Sequence, residues 1–255
     1  MAIISALLLG LSQSVYLPNA HAHNDYVNPK PLTEALSLGF KSIEVDVFPV
    51  NGKLLVGHDK KDLKPGNTIE SMYLNPLVAR AKDKGGWVYG PKEELWLLVD
   101  IKEKGPEAYA LLKQLIKPNQ QFFTGYSIPG GVVPSAIRII LSGDRPTDVV
   151  KKEDVRYAFI DGRLSDLEKI DAELMPLISD SWYENFEWRG SGALNNKDRF
   201  KLQLAVNRAH RQGQKLRFWA TPDTPVAWKM LRDFDVDVIG TDQPAKLAAF
   251  LKAQR

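Results

Sequence analysis

The chain has 255 residues, no cysteine and only four histidines. Without cysteine it can form neither disulfides nor thiolate metal sites, and it has no cysteine nucleophile. No tract of five or six basic residues occurs and the formal net charge is only +3, which argues against a nucleic-acid partner. What remains is the composition of an ordinary globular domain, with 44% hydrophobic and 25% charged residues.

Long apolar runs are also lacking. Residues 1–11 form an apolar stretch that is too short to cross a bilayer but has the length of a signal-peptide core. We expect residues 1–14 to be either a signal peptide, which would send the protein to the periplasm or outside the cell, or an N-terminal helix of a cytoplasmic protein. Residues 15–255 are then expected to form one folded domain.

Eight strand-like apolar runs alternate with amphipathic segments of helical period. The predicted strands are 15–22, 42–47, 95–101, 136–141, 157–160, 176–179, 215–220 and 236–240, and the predicted helices are 31–38, 68–84, 106–116, 197–212, 225–233 and 244–253. Repeated β-α units at a length of about 250 residues predict an α/β fold, a single TIM-type (β/α)8 barrel. Asn51-Gly52 predicts a small hairpin insertion after the second strand, whereas residues 119–134 give no clear element.

The most informative motif is Glu44-Val45-Asp46 inside an apolar run. Side chains two apart in a strand project to the same face, so the two carboxylates lie together. Burying unpaired carboxylates costs several kcal/mol, which predicts a metal or a cationic partner. A solvated edge strand is the alternative.

Further candidate site residues lie at the carboxyl ends of the predicted strands. They are His21 and His23 after the first strand, Asp100 and Lys102 after the third, Asp161 and Arg163 after the fifth, Trp219 at the seventh and Asp242 after the eighth. Barrel enzymes place their active residues at the carboxyl ends of the strands, so this distribution predicts one common site.

Together these motifs resemble the phospholipase C-like phosphodiesterase superfamily, which includes glycerophosphodiester phosphodiesterases and sphingomyelinases D of the spider-venom type. The resemblance rests on Ala22-His23-Asn24-Asp25, Ser42-Ile43-Glu44-Val45-Asp46-Val47, Gly57-His58-Asp59, Val99-Asp100-Ile101-Lys102, Phe218-Trp219-Ala220-Thr221-Pro222-Asp223 and Ile239-Gly240-Thr241-Asp242. The run from His21 to Tyr26 is most similar to a bacterial and fungal branch of this superfamily.

The resemblance implies that Glu44, Asp46 and Asp100 bind one divalent cation, while His23 and His58 act as nucleophile or as general acid and base. Oxygen ligands suit Mg²⁺ or Ca²⁺, whereas zinc would favour imidazole or thiolate. The resemblance also implies that Lys102 faces the phosphate. Trp219 is expected either to cover the alcohol or head group or to fill the barrel as a packed aromatic. Asn24 is a further substrate-binding candidate beside His23. His21 is a third candidate, as a catalytic residue, an orienting neighbour or a packed barrel histidine.

The implied activity is metal-dependent cleavage of a glycerophosphodiester or lysophospholipid-like substrate, by hydrolysis or through a cyclic phosphate. The sequence departs from the glycerophosphodiesterase pattern, with His-Asn-Asp at residues 23–25 in place of His-Arg-Gly, and with Asp100 where a glutamate is usual. The substrate class therefore stays open.

Three alternatives accompany this interpretation. One is a catalytically silent barrel that binds a phosphorylated ligand, and another is an amidohydrolase-type metal enzyme, suggested by His21-Ala22-His23. The third is transient contact with a membrane surface through the aromatic residues Trp182, Phe186 and Trp188, which otherwise form a loop cluster. Arg145 and Arg163 are read either as structural ion-pair partners or as substrate contacts.

Overall fold

The computed structural model describes residues 15–254. The predicted signal peptide or N-terminal helix, residues 1–14, lies outside the described residues. Within them, no helix combines the length and the apolarity that crossing a bilayer requires.

Eight parallel strands close into a barrel, which confirms the predicted TIM-type fold. The strands of the chain are β1 Leu17–Ala22, β2 Phe40–Val50, β3 Lys53–Val56, β4 Leu95–Ile101, β5 Gly125–Ser127, β6 Gly131–Val133, β7 Ile137–Gly143, β8 Val155–Arg156, β9 Ala158–Gly162, β10 Leu177–Ser181, β11 Lys215–Trp219 and β12 Val238–Thr241. Around the barrel they follow the order β1-β2-β4-β7-β9-β10-β11-β12. β12 returns to β1, with His21 opposite Gly240.

Helices connect the barrel strands. They are α1 Thr33–Leu38, α2 Asn75–Asp83, α3 Gly105–Ile116, α4 Thr147–Lys151, α5 Trp182–Asn185, α6 Asn196–Arg211, α7 Pro225–Asp233 and α8 Pro244–Ala253. Each of the six predicted helices overlaps one of these, and a π-helical turn, Glu70–Leu74, precedes α2. α7 illustrates why the helices could be predicted from the sequence. Thr224 caps its first turn by accepting from the Ala227 N–H, and a proline occupies its first position.

The hairpin insertion is also confirmed. β2 continues beyond the barrel and pairs antiparallel with β3, with Val50 opposite Lys53. Asn51 (φ 49°) and Gly52 (φ 74°) both have positive φ, as a two-residue type I′ turn requires. The hairpin leads the chain back to the barrel mouth, where the Gly57 N–H donates to the carbonyl of Asp46 (3.3 Å).

The aromatic residues of the segment after β10 belong to the core. Trp182, Phe186 and Trp188 are 0%, 3% and 6% exposed. Trp182 stacks on Phe186 with ring centroids 4.2 Å apart, and both rings meet Phe218 of β11 edge to face. These three side chains therefore form a loop cluster, and the alternative of a lipid-facing patch is wrong for them.

Candidate active site

The acidic residues of β2 and β4 meet at the barrel mouth. Ile43, Val45 and Val47 are fully buried on one face of β2, and the period of two places Glu44 and Asp46 on the other. Asp46 pairs in register with Asp100 of β4. One carboxylate oxygen from each of Glu44, Asp46 and Asp100 lies within 4.8 Å of the others. The structure thus brings the three predicted metal ligands together.

The two oxygens of Asp46 have different surroundings. Oδ2 accepts from the Tyr26 hydroxyl (2.8 Å), lies 2.8 Å from Lys102 Nζ and lies 3.1 Å from His58 Nδ1. Oδ1 is buried and has no hydrogen-bond partner among the described residues. A buried carboxylate oxygen without a partner costs free energy that a bound cation would offset. The donor set and this oxygen fit a hard divalent cation.

Glu44 is held by a buried polar network. Its Oε2 lies 3.0 Å from Arg217 Nη1 and 2.7 Å from His21 Nε2, while His21 Nδ1 lies 2.7 Å from Ser42 Oγ. Burial alone would raise the pKa of Glu44, but Arg217 and His21 outweigh it and hold this pKa far below its usual range. Glu44 is therefore a carboxylate at neutral pH. Sequence analysis missed Arg217, which lies mid-strand in β11 and belongs to no motif.

The structure places His21 beside Glu44, as expected for the orienting neighbour, which is one of the three roles predicted for it. Its side chain is fully buried and both ring nitrogens are engaged within the protein. Burial, reinforced by the charge of Arg217, lowers the pKa of His21 to about 4, so the ring is neutral near pH 7. A proton on Nε2 best satisfies the Glu44 carboxylate. His21 thus holds the side chain of a predicted metal ligand in place.

Lys102 lies among the acids. Its Nζ contacts Asp46 Oδ2 and, at 3.2 Å, Asp100 Oδ1. Burial lowers the pKa of Lys102, yet the contacts with Asp46 and Asp100 raise it more, so the ammonium stays charged. The pKa of Asp100 is raised, because burial and the neighbouring acids Glu44 and Asp46 outweigh the attraction of Lys102.

Each predicted catalytic histidine is oriented by one carboxylate. His23 Nδ1 lies 2.7 Å from Asp242 Oδ1, and His58 Nδ1 lies 3.1 Å from Asp46 Oδ2. Both rings are accessible, with side-chain exposures of 37% for His23 and 60% for His58. When Nδ1 donates to a carboxylate, Nε2 is the nitrogen left for chemistry. The sequence predicts that Asp242 lies at the end of the eighth strand, but it does not predict the contact with His23.

A cavity of about 290 Å³ joins these groups. Its lining residues are His23, Asn24, Glu44, His58, Asp100, Lys102, Ser142, Arg163, Arg217, Trp219 and Ala220. Asn24 has a left-handed backbone (φ 45°) and its Oδ1 accepts from the Tyr26 hydroxyl at 3.3 Å. Apart from His21 and Arg145, every residue that the sequence proposed for catalysis or substrate binding lines this cavity.

The histidine pattern speaks against the amidohydrolase alternative. Such a site needs further imidazoles at the ends of the central strands. Here β9 ends in Asp161 and Gly162, and β10 ends in Asp180 and Ser181. The fourth histidine, His210, lies on the outer helix α6 and contacts Asp237 at 2.7 Å.

The fold and the acid-lined mouth define a (β/α)8 barrel of the class that can hold a metal ion at the carboxyl ends of its strands. The sequence profile of the AIM6-like phosphodiesterase domain matches residues 10–161, more than half of the chain. The chain belongs to this family.

Curated relatives agree with this assignment. The chain is 28% identical to Altered inheritance of mitochondria protein 6 of Eremothecium gossypii, over 92% of this chain and 69% of that protein. It is 27% identical to the Altered inheritance of mitochondria protein 6 homolog of Arthroderma benhamiae, over 87% of this chain and 80% of that protein.

Solved structures share the fold at low sequence identity. A glycerophosphodiester phosphodiesterase from Parabacteroides distasonis matches with a TM-score of 0.57 and 17% identity, covering 92% of this chain and 97% of that one. A phosphodiesterase from Oleispira antarctica, solved in complex with the product sn-glycerol-3-phosphate, matches with a TM-score of 0.54 and 14% identity, at the same coverages.

Proposed function

We propose that this protein is a metal-dependent phosphodiesterase acting on a glycerophosphodiester or lysophospholipid-like substrate. The observation that carries the proposal is the cluster of three carboxylate oxygens within 4.8 Å. Two of its members, Glu44 and Asp100, line a cavity that His23 and His58 also line. The family membership and the glycerophosphodiesterase-like fold support the same reaction class.

Glu44, Asp46 and Asp100 would hold the cation. The all-oxygen donor set favours Mg²⁺ or Ca²⁺ over zinc. When bound, the cation neutralises phosphate charge and stabilises the charge that develops in the transition state. Lys102, which contacts two of the three acids, adds a positive charge beside the phosphate.

The two histidines would move the protons. His23 Nε2 takes the proton of the attacking hydroxyl as the new bond to phosphorus forms, while Asp242 holds Nδ1. His58 Nε2 gives a proton to the departing alkoxide as the ester bond breaks, while Asp46 holds its Nδ1. Attack by water gives a phosphomonoester, and attack by a hydroxyl of the substrate gives a cyclic phosphate.

Product analysis tests this proposal. The protein is incubated with glycerophosphocholine, glycerophosphoinositol, lysophosphatidylcholine or sphingomyelin, first with Mg²⁺ and then with Ca²⁺, and products are followed by ³¹P NMR. We expect cleavage of at least one diester, and the chemical shift separates the monoester from the cyclic phosphate. The His58→Gln variant, which keeps a polar side chain without acid-base function, should form neither product.

One observation favours a second candidate, a silent barrel that binds a phosphorylated ligand. Lys102 contacts Asp46 and Asp100, and Arg217 contacts Glu44, so basic side chains already compensate the acids. Calorimetry separates the two functions. Binding of Mg²⁺ or Ca²⁺ that disappears in Asp46→Ala supports the enzyme, whereas phosphate-ester binding without cation binding or turnover supports the silent barrel.

A further inference from the structure

Arg163 lines the cavity but has no part in the proton transfers described above. It follows β9 at the barrel mouth, and its guanidinium carbon lies 4.9 Å from the ring centroid of Trp219, which ends β11. This separation is that of a cation–π contact. Both residues line the same cavity as Glu44, Asp100 and the two catalytic histidines.

One edge of the Arg163 guanidinium is anchored to the barrel. Nη1 donates to Asp161 Oδ2 (3.0 Å), to the Asp161 carbonyl (3.2 Å) and to the Gly162 carbonyl (2.9 Å). Asp161 is itself buried and accepts from the Ser142 hydroxyl at 2.8 Å. The charge of Arg163 is therefore fixed in position at the cavity wall.

The other donors of Arg163 are little used. Nη2 has one long contact, 3.4 Å to Ser142 Oγ, and Nε has no hydrogen-bond partner in the part of the chain that the structure describes. A guanidinium presents its donors as a planar fork that matches phosphate and carboxylate oxygens. With Nη1 anchored, the remaining donors of the fork are available to an anionic group in the cavity.

Neighbouring Arg145 does not share this arrangement. Its Nη1 donates to the Asp161 carbonyl and lies 3.6 Å from Asp166 Oδ2, and it does not line the cavity. Of the two arginines that the sequence left undecided, Arg145 thus has a supporting position and Arg163 faces the site.

The Arg163–Trp219 contact also limits which head groups suit the cavity. A quaternary ammonium is recognised by exposed aromatic faces. Here a fixed guanidinium already covers one face of the Trp219 indole. A second cation in the cavity would be repelled by this charge, whereas an anionic substituent would be attracted.

We propose that Arg163, anchored by Asp161 and stacked on Trp219, selects phosphodiesters whose head group carries a further anionic group and discriminates against a quaternary ammonium. An uncharged polyol head group ranks between the two. This inference rests on the proposed phosphodiesterase function and names the substrate class of that site.

The test compares kcat/KM for glycerophosphoinositol 4-phosphate, glycerophosphoinositol and glycerophosphocholine. The wild-type protein should prefer them in this order. In Arg163→Gln the preference for the 4-phosphate over the choline ester should fall by about tenfold or more, because the fixed charge is lost. Arg163→Lys keeps the charge and should keep the order. The matched control is Arg208→Gln, which removes a surface arginine paired with Glu168 and should leave all ratios unchanged.

Two results would overturn the inference while leaving the phosphodiesterase function intact. One is a wild-type preference for glycerophosphocholine, and the other is an equal loss for all three substrates in Arg163→Gln. If the wild-type protein cleaves none of the three but cleaves lysophosphatidylcholine or sphingomyelin, the proposed function stands; if it cleaves no diester at all, the proposed function fails. In both cases the inference is tested by calorimetry, which should give the same order of affinities for the three compounds. If Arg163→Gln does not fold, the double variant Asp161→Asn/Arg163→Gln is used in its place, because it removes both charges of the ion pair and leaves no unpaired charge.

Discussion

Asp46 and His58 lie one hydrogen bond apart, with Nδ1 of the imidazole 3.1 Å from Oδ2 of the carboxylate. The β2–β3 hairpin makes this contact, because it turns the chain back to the barrel mouth directly after the strand that bears Asp46. The same carboxylate belongs to the cluster of three acids. The proposed proton donor is therefore oriented by a proposed cation ligand.

Asp46→Asn should weaken binding of Mg²⁺ and Ca²⁺ and lower kcat/KM by at least about a hundredfold, since the amide is a poorer cation ligand and a poorer partner for His58. Calorimetry and steady-state kinetics measure the two effects. Asp233→Asn is the control, because the side chain of Asp233 pairs at the surface with Lys229, away from the acid cluster. Unchanged cation affinity in Asp46→Asn would count against the proposed ligand set.

Asp242→Asn should lower kcat by about 10²- to 10⁴-fold, with a smaller effect on KM, because an amide can no longer fix the proton on His23 Nδ1. The pH dependence of kcat should change as well, which a purely structural loss would not cause. His23→Ala should abolish turnover. The control is His210→Ala, which removes an imidazole on the outer helix α6 that contacts Asp237, and it should have wild-type kinetics. Full activity in His23→Ala would refute the acid-base scheme.

Arg217→Met should lower the free energy of unfolding by about 3 to 5 kcal/mol, because it leaves the Glu44 carboxylate buried without its arginine. Urea denaturation measures the loss. The double variant Glu44→Gln/Arg217→Met removes both charges and should regain most of the stability. If the double variant is no more stable than Arg217→Met alone, the loss comes from packing and not from the uncompensated charge.

Gly143→Ala should disturb the acid cluster through the backbone. Gly143 has φ +68°, and a Cβ there would lie 2.3 Å from the Ile101 carbonyl oxygen and 2.5 Å from Asp100 Oδ1. We expect a loss of about 3 kcal/mol or more in unfolding free energy together with weaker cation binding. Gly52→Ala is the matched control, because Gly52 has φ +74° with open space around it.

The control should lose only about 1 kcal/mol, the usual penalty for a side chain at positive φ, and keep wild-type cation affinity. Equal losses in the two variants would show that the close approach to Asp100 has no consequence.

Asp25→Asn should change stability in a pH-dependent way. Asp25 is fully buried; its Oδ2 accepts from the Leu32 N–H (2.5 Å) and the Tyr73 hydroxyl (2.8 Å), while Oδ1 has no partner among the described residues. Burial raises the pKa of Asp25 above its ordinary value of 3.8. Its stabilising contribution is therefore complete below that value and is lost as the pH rises through the folded-state pKa.

The asparagine variant, which cannot ionise, should accordingly gain stability relative to wild type as the pH rises from 3.8 through the folded-state pKa of Asp25. Urea unfolding of both proteins across this range measures the difference. A difference that does not vary with pH would contradict the assignment.

The local sequence pattern was sufficient to predict the barrel and the shared face of Glu44 and Asp46. Each barrel strand is an apolar run, the period of two places Glu44 and Asp46 on one face, and Asn51-Gly52 specifies its own turn. These features depend on neighbours in the sequence. They could be predicted because the local preference and the tertiary environment agree.

Features that depend on distant contacts could not be predicted. His21 and Arg217 meet across 196 positions, and His23 and Asp242 across 219. The short strands β5 and β6 come from a segment whose glycines and prolines obscure any period, and they form a small antiparallel sheet with the distant two-residue strand β8. A buried histidine such as His21 and an accessible one such as His23 also look alike in the sequence, since burial is a property of the closed barrel.

The contact between His23 and Asp242 bridges the join between β1 and β12. During synthesis His23 leaves the ribosome early, whereas Asp242 follows only after β12. The contact between them can therefore form only when nearly the whole barrel has been made. Partly made chains would consequently lack the carboxylate that orients His23. A circular permutant opened in a surface loop, with β12 joined covalently to β1, would assemble this pair first.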